Sequence, residues 1–572
     1  MRTVYRFAWR YKWPMLIAFL LMLIELSVEL TQPLIIAKMI DDGILMNDVS
    51  TVYTWGLVLL GLAALAFLSG VTNSFFAAHA AQSFAFDVRK ATFEKLQAFT
   101  LATFLTFPSS SLITRLTGDV NIVQQVLFMS LRIMFRAPLL VVGSLTMAFF
   151  VNVKLAALLL VSAPIIIVFV RYMVKRGGKL FGGVQKRLDR VNRTIEENLS
   201  ATRLVKATGR EAYETDRFEQ TSGQLRDQTI RAMRTMELTM PVLLFIMNAS
   251  IMAVLWFGAK DIAASRVQVG EVIAIVNYGM RMTGAFSMFS FLIVLFSRAR
   301  ASAERIEEVL IIDETERTAT TKETMMQGDL AFCDVSFRYN EEAPLTLQHV
   351  NFSIGRGETL AIMGATGSGK STLVQLLPRL FEPTSGTITI DGRPIDEWSL
   401  PSLRKQIGYV PQRSLLFSGT IAHNLRFGAT DATDEELIEA AKIAQIHETI
   451  LSFPDGYETI VGQKGVNLSG GQKQRLSIAR ALIRKPRLLI LDDSTSALDV
   501  ATEAKLLHAL KPFEATTLLI TQKIATAEKA DAILLLDEGR VDGFGTSDEL
   551  LQTSELYRRI VASQQQGGEM DE

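Results

Sequence analysis

The clearest chemistry in the chain lies in the run Gly364-Ala365-Thr366-Gly367-Ser368-Gly369-Lys370-Ser371. It follows an apolar stretch, Thr359–Met363, and leads into a helical stretch at Thr372. That strand–loop–helix setting is what a phosphate cradle requires, because glycines let backbone N–H groups turn toward phosphate oxygens at a helix N-terminus. Lys370 is placed to reach the outer phosphates and the Ser371 hydroxyl to ligate Mg²⁺. A second apolar stretch, Arg487–Leu491, ends in Asp492-Asp493. Asp492 suits the metal, and Asp493 stands where an acid would position attacking water. Gln412, in Tyr409-Val410-Pro411-Gln412, is able to touch the metal and sense the last phosphate. Tyr339 is either a ring that stacks on a purine or a plain strand-end aromatic.

A lone P-loop does not account for Leu468-Ser469-Gly470-Gly471-Gln472-Lys473-Gln474-Arg475, which precedes the apolar-periodic stretch Leu476–Ile483. Ser469, Gly470, Gly471 and Gln472 would offer hydroxyl and backbone donors at a helix N-terminus, which favours an anion. Positioning these groups calls for an α/β sheet domain. From residue 328 to 563, short runs rich in Ile, Val and Leu alternate with helical stretches, as such a domain requires. A polar linker, 301–327, precedes it and a polar tail, 564–572, follows.

Residues 1–300 read differently. The chain of 572 residues is 49% hydrophobic and 21% charged, with a mean hydropathy of +0.25, and nearly all long apolar runs fall in this first half. A wholly soluble enzyme is excluded, and so is a wholly embedded protein. The 59 basic residues balance 59 acidic ones, which argues against nucleic acid as a partner. The single cysteine, Cys333, excludes an internal disulfide framework and a cysteine zinc site.

A hydrocarbon core about 30 Å thick needs roughly 20 helical residues. On that measure the first half holds six transmembrane helices, near 13–37, 51–86, 132–153, 155–175, 238–259 and 270–298. The third and fourth should form a tight hairpin about Lys154. Lys and Arg gather at the start (Arg2, Arg6, Arg10, Lys12) and in the two long loops (Arg89, Lys90, Lys95, Arg115; Lys175, Arg176, Lys179), and are missing from Asp41–Ser50. The charge bias puts both termini and both long loops in the cytoplasm. No cleavage site of small residues follows the first apolar stretch, so a removable signal is not expected. The basic, aromatic start suits a short helix lying on the inner membrane surface. The long loops are rich in helix formers and should continue the membrane helices, with turns near Ser109–Asp119 and Gly209–Phe218.

With these motifs together, the chain resembles the ATP-binding cassette (ABC) exporter half-transporters. The resemblance rests on the P-loop, the Gln412 loop, LSGGQKQR, the Ser496-Ala497-Leu498-Asp499 loop and the membrane half, and spans essentially the whole chain. It implies a helical six-span domain with long cytoplasmic extensions, followed by a P-loop cassette. It implies ATP and Mg²⁺ as cofactors, a location in the cell membrane, and a second half-transporter whose signature faces this chain's P-loop. Ile460–Gly465 would lie where exporters contact the opposite membrane half.

Two positions depart from the family. The acid after Asp492 is normally Glu and here is Asp493, which withdraws the carboxylate by about 1.5 Å, whereas a productive site tolerates about 0.5 Å of error. The switch histidine is replaced by Gln522, and none of His79, His349, His423, His447 and His508 lies at that place. Gln offers no imidazole and no second protonation state. With its signature intact, the chain resembles the degenerate-site subunit of heterodimeric bacterial ABC multidrug exporters. It is then expected to move hydrophobic or cationic amphiphilic compounds. A lipid flippase, a slow homodimeric exporter and an ATP-gated regulator remain as alternatives. A peptide exporter is disfavoured because no peptidase domain precedes residue 1, and an importer because importers usually split these parts between chains.

Glu25 and Glu29, four apart in the first span, share a helix face. Acids at that depth face protein or a water-filled cavity, so they either attract a cationic substrate or anchor to a neighbouring helix. Arg281 in the sixth span would be their partner. Met280, Met282, Phe286, Met288 and Phe289 suit an adaptable apolar wall or plain helix packing.

Overall fold

The computed structural model describes residues 2–313 and 325–568. The chain divides into two compact units. One contains the residues up to Gln97 and Pro108–Asp313, and the other contains Ala98–Phe107 with the described residues from 325 onward.

The first unit is helical throughout. A short helix, Arg2–Ala8, turns Val4 and Ala8 inward against Phe84, Val88, Val120 and Ile306. It leaves Tyr5 and the following Trp9 exposed. The apolar runs of the sequence fall on the helical segments Lys12–Lys38, Val49–Gln97, Arg136–Val151, Val153–Ser200, Thr239–Ala263 and Val269–Ile311. Among the described residues, five helices are long and apolar enough to cross a membrane. Part of the Val269–Ile311 helix has side chains outside the described residues, Phe289 among them. Leu57, Phe67, Phe75, Phe150 and Phe245 are exposed on these helices, the outward apolar coat that lipid would cover.

The hairpin turns at one residue. Asn152 leaves the helical region (φ −158°, ψ 115°), and its side chain accepts from the backbone N–H groups of Lys154 and Leu155, satisfying donors that a helix start leaves open. Lys154 reaches across to Asp261 at 2.6 Å. Beneath, Leu155, Leu159, Val254, Ile275 and Tyr278 form one buried cluster, and the Tyr278 hydroxyl donates to the Leu30 carbonyl at 2.7 Å.

The first inner turn is not at Ser109–Asp119. The Val49–Gln97 helix ends and a short helix, Leu101–Leu105, follows, with Thr100 as its cap. Ser109 already begins the next helix, and Arg115–Asp119 is a π-helical turn within it. The Ser, Thr and Gly residues that read as a break are held helical by a buried network. Asp119, 1% exposed, accepts from Ser302 and Arg305 at 2.8 Å each, and Arg115 pairs with Glu308 at 2.8 Å. The second turn falls at Gly209, whose left-handed conformation (φ 64°) ends the Thr202–Thr208 helix before Glu211 starts the next.

The polar stretch 301–327 is not one linker. The Val269–Ile311 helix occupies its start, and 314–324 lie outside the described residues. The 564–572 tail likewise begins as helix, because Glu555–Gly568 is continuous, while 569–572 lie outside the described residues.

In the second unit a six-stranded sheet runs Arg540–Gly545, Ala532–Asp537, Thr359–Gly364, Thr516–Ile520, Leu488–Asp492, Ile407–Val410. All neighbours are parallel except the Arg540–Gly545 edge. The fully buried Leu488–Asp492 and Thr516–Ile520 strands explain their unbroken apolar runs. A four-stranded antiparallel sheet, Leu347–Ile354, Leu330–Phe337, Ser385–Ile390, Arg393–Pro394, packs with it into one core. Leu101, from the turn segment, rests on that core. A second core gathers Ile421, Leu425, Leu437, Leu476 and Ile478 in a helical region.

Candidate active site

The strand Thr359–Gly364 lies inside the sheet, so its C-terminal end, where ligands of open α/β sheets bind, delivers the glycine-rich loop directly. Gly364 must be glycine. Its φ is 144°, and a Cβ there would lie 2.1 Å from the Leu536 carbonyl oxygen. Gly367 and Gly369 also have positive φ, and Lys370 opens the next helix with Ser371 and Thr372. Lys370 Nζ donates to the Gly364 and Ala365 carbonyls at 2.9 and 2.7 Å, so the ammonium is held over the start of the loop. The Ser368 hydroxyl is buried with no hydrogen-bond partner among the described residues, a donor a phosphate oxygen would satisfy.

Opposite, Asp492 ends its strand 3% exposed and accepts from the Ser371 hydroxyl at 2.9 Å. Gln412 Nε2 donates to Asp493 Oδ2 at 3.1 Å, and Asp493 has φ 47°. The structure thus brings Lys370, Ser371, Asp492, Asp493 and Gln412 into one neighbourhood. Burial pushes Asp492 above the usual carboxylate value, against the Ser371 hydrogen bond. Burial also lowers the Lys370 ammonium, against the opposing pull of Asp493 and Asp492. Ser371, Asp492 and Gln412 offer hydroxyl, carboxylate and carboxamide oxygens, a donor set that fits Mg²⁺.

The Tyr339 hydroxyl shares a hydrogen bond with Thr372 at 2.8 Å. Its ring meets Phe337 and Phe381 edge-on and is about half exposed, beside the P-loop helix. Ser469 caps the Gly470–Leu482 helix in a reciprocal capping box with Gln472, which fixes the signature N-terminus and leaves Gly470 and Gly471 at its first turn.

Sequence reasoning passed over four side chains. Gln474, seven per cent exposed, donates to Ser496 Oγ at 3.3 Å and accepts from the Ala497 backbone at 3.0 Å, tying the Ser496–Asp499 loop to the signature helix. Lys523 pairs with Glu503 at 2.6 Å, and Glu503 also accepts from Thr495 and Thr526. Gln564 donates to the Gln522 carbonyl and accepts from the Ile524 backbone N–H. The Gln522 residue itself is exposed. Only Gln474 stood in a motif; the others had no local signal.

In the membrane unit Glu25, Glu29 and Arg281 do meet, but around a residue the sequence did not flag. Arg136 bridges Glu25 and Glu29 at 2.8 Å each. Arg281 pairs with Glu29 at 3.1 Å and donates to Gln32 at 3.0 Å. Two acids and two guanidinium groups leave no net negative charge, so the pair of glutamates is not an open cation site. Met280 and Met288 line a cavity of about 350 Å³ beside this cluster, whereas Met282 and Phe286 are buried in helix packing.

Residues 15–286 match the family model described as ABC transporter transmembrane region, and residues 347–496 the one described as ABC transporter. The chain is 55% identical over 548 residues to the Bacillus subtilis (strain 168) ABC transporter ATP-binding protein YfiB, covering 96% of each. It is 31% identical over 574 residues to YgaD of the same organism, an ATP-binding/permease protein named for multidrug export, covering 99% of each. The solved structure of a bacterial Atm1-family ABC exporter with ATP bound has the same fold, with a TM-score of 0.80 at 24% identity over 96% of this chain and 97% of that one. With a transmembrane region and an ATP-binding domain in one polypeptide, this chain belongs to the ABC transporter family and has the architecture of an exporter half-transporter.

Proposed function

We propose that this chain is one half of a heterodimeric ABC exporter of hydrophobic or amphiphilic compounds in the cell membrane. Its P-loop serves an ATP site of weak hydrolysis, and its signature completes the working site on its partner. The reading takes Val269–Ile311 as a sixth span and both termini as cytoplasmic, following the Lys and Arg bias. The name of the YgaD relative supports a drug-like substrate.

One observation carries the reading. In place of the catalytic Glu and switch His that the resemblance implies, the chain carries Asp493, drawn onto Gln412, and Gln522, whose carbonyl is tied to Gln564. A shortened acid and an amide then replace the acid and imidazole that would orient water and meet the last phosphate. Mg²⁺, when bound, offsets charge on the phosphates. The chain's own residues do the rest. The P-loop backbone, Ser368 and Lys370 hold the phosphates, Tyr339 offers a face to the base, and Ser469–Gln472 present donors to ATP on the partner. Two ATP molecules draw the cassettes together and turn the membrane cavity outward. Hydrolysis on the partner's site releases them.

The test is subunit-specific. With the catalytic Glu of the partner's cassette replaced by Gln, ATPase activity should fall by about a hundredfold. Substantial remaining turnover would refute the assignment. Asp493→Glu with Gln522→His should raise turnover at this chain's own site, and a purified complex containing only this chain would point instead to the homodimer.

A further inference from the structure

The Glu25–Glu29–Arg136–Arg281 cluster is asymmetric toward the cavity it borders. Glu29, Arg136 and Arg281 line that space, and Glu25 does not. Glu25 packs toward the second long helix, where a Cβ on Gly70 would lie 3.5 Å from its carboxylate. The wall therefore shows two guanidinium groups and one carboxylate. Each guanidinium carries five N–H donors, and the contacts to Glu25, Glu29 and Gln32 use only some of them. Arg136 follows a π-helical turn, Ser130–Met134, a feature that recurs at functional positions in helices. The remaining wall is apolar, with Leu140, Met280 and Met288. A volume of about 350 Å³ falls within the range of small-molecule pockets, roughly 300–1,000 Å³.

Resting on the export reading, we propose that this cavity receives the anionic group of an amphiphile, with Arg136 and Arg281 as its donors and the methionine-lined wall taking the apolar part. A guanidinium pair in a low-dielectric wall favours a carboxylate or phosphate through paired N–H donors. A cation would meet one carboxylate, Glu29, already paired with both guanidinium groups. The same anionic chemistry is offered by a free fatty carboxylate and by an acidic lipid headgroup.

The test uses full-length chain, purified with whatever subunit accompanies it, in phosphatidylcholine nanodiscs. The probes are dansyl-undecanoate, its methyl ester, ethidium, and NBD-labelled phosphatidylglycerol as the lipid arm. The carboxylate should bind about tenfold more tightly than the ester, the difference expected for a charge-assisted hydrogen bond. Arg281→Gln and Arg136→Gln should each erase that preference, and Arg281→Lys should keep part of it. Tighter binding of the labelled lipid than of the undecanoate would make the substrate a lipid; the reverse order would make it a free amphiphile. Gly284, which also lines the cavity, has open space around its Cβ position, so Gly284→Leu should weaken acid and ester alike without disturbing the ion pairs. That variant keeps the test decisive if Arg136→Gln does not accumulate. Equal binding of acid and ester, or a preference for ethidium, would overturn the proposal. ATP-driven uptake into inverted vesicles separates it from the export reading. Selective binding without uptake leaves the site standing and export refuted, whereas uptake of other dyes without selective binding does the opposite.

Discussion

In the cassette, the groups proposed to meet ATP stand on backbone that the sequence announces. Glycines open the loop, a strand ends at Asp492, and the Ser371 hydroxyl finds that acid across the sheet. In the membrane unit the charges are held by side chains alone, on three helices, and Arg136 finds Glu25 and Glu29 at sequence separations of 111 and 107. The first arrangement is set by backbone and should survive the loss of one side chain with its fold intact. The second depends on every member, because one charge removed leaves another in an apolar surrounding.

Lys370→Ala sharpens the first half of that contrast most. It removes a charged donor to the phosphates but no packing, so affinity for a fluorescent ATP analogue should fall by about a thousandfold while the melting temperature without nucleotide stays put. A melting temperature that fell as far as the affinity would show that the lysine holds the loop itself, through the Gly364 and Ala365 carbonyls.

Arg136→Ala should do the reverse. Glu25 and Glu29 are about four-fifths buried; Glu29 keeps its pair with Arg281, but stranding Glu25 should cost about 3 kcal/mol, read as a lowered melting temperature in detergent with ATP affinity unchanged. Adding Glu25→Gln to the same chain should recover most of the loss. Failure to recover would mean that the arginine stem, and not the charge, is what the helices require.

The same contrast explains what could be read from the sequence. The P-loop, the Asp492 strand and the apolar runs are local patterns, and the structure gives the first two at strand ends and the last as helices. Arg136 lies inside the third expected span, 132–153, next to an uncharged apolar run, and only helix packing turns it toward the acids. The turn expected at Ser109–Asp119 failed for a related reason. Ser, Thr and Gly are breaking signals locally, but Asp119 is buried on Ser302 and Arg305, a tertiary contact that keeps the segment helical.

Gln474→Ala tests whether the cassette also depends on such side-chain ties. It would strand the Ala497 N–H next to the signature helix and remove a donor to the Ser496 hydroxyl, which keeps its bond to the Asp493 carbonyl, at a cost of about 2 kcal/mol. Under the proposed function the ATPase of the heterodimer should fall several-fold with this chain's own ATP affinity unchanged. Lost ATP affinity on this chain would instead link the tie to its own P-loop.

The smallest effect expected is from Gln564→Ala, where the two regions come closest to behaving alike. Gln564 braces the Gln522 loop through one bond to a carbonyl and one to an N–H, both side-chain contacts from a helix whose sequence reads as tail. Tyr557 and Val561 of that helix still pack on Ile524 and Ala527, so the loop stays docked, and the loss should be about 1 kcal/mol. That converts to roughly fivefold faster hydrogen exchange, confined to the amides of Thr521–Ala527, with the P-loop amides unchanged. Unchanged exchange at Ile524 would show that packing alone positions the loop. A change reaching the P-loop would show that the terminal helix is part of the nucleotide site, and the cassette would then share the all-or-none dependence of the membrane cluster.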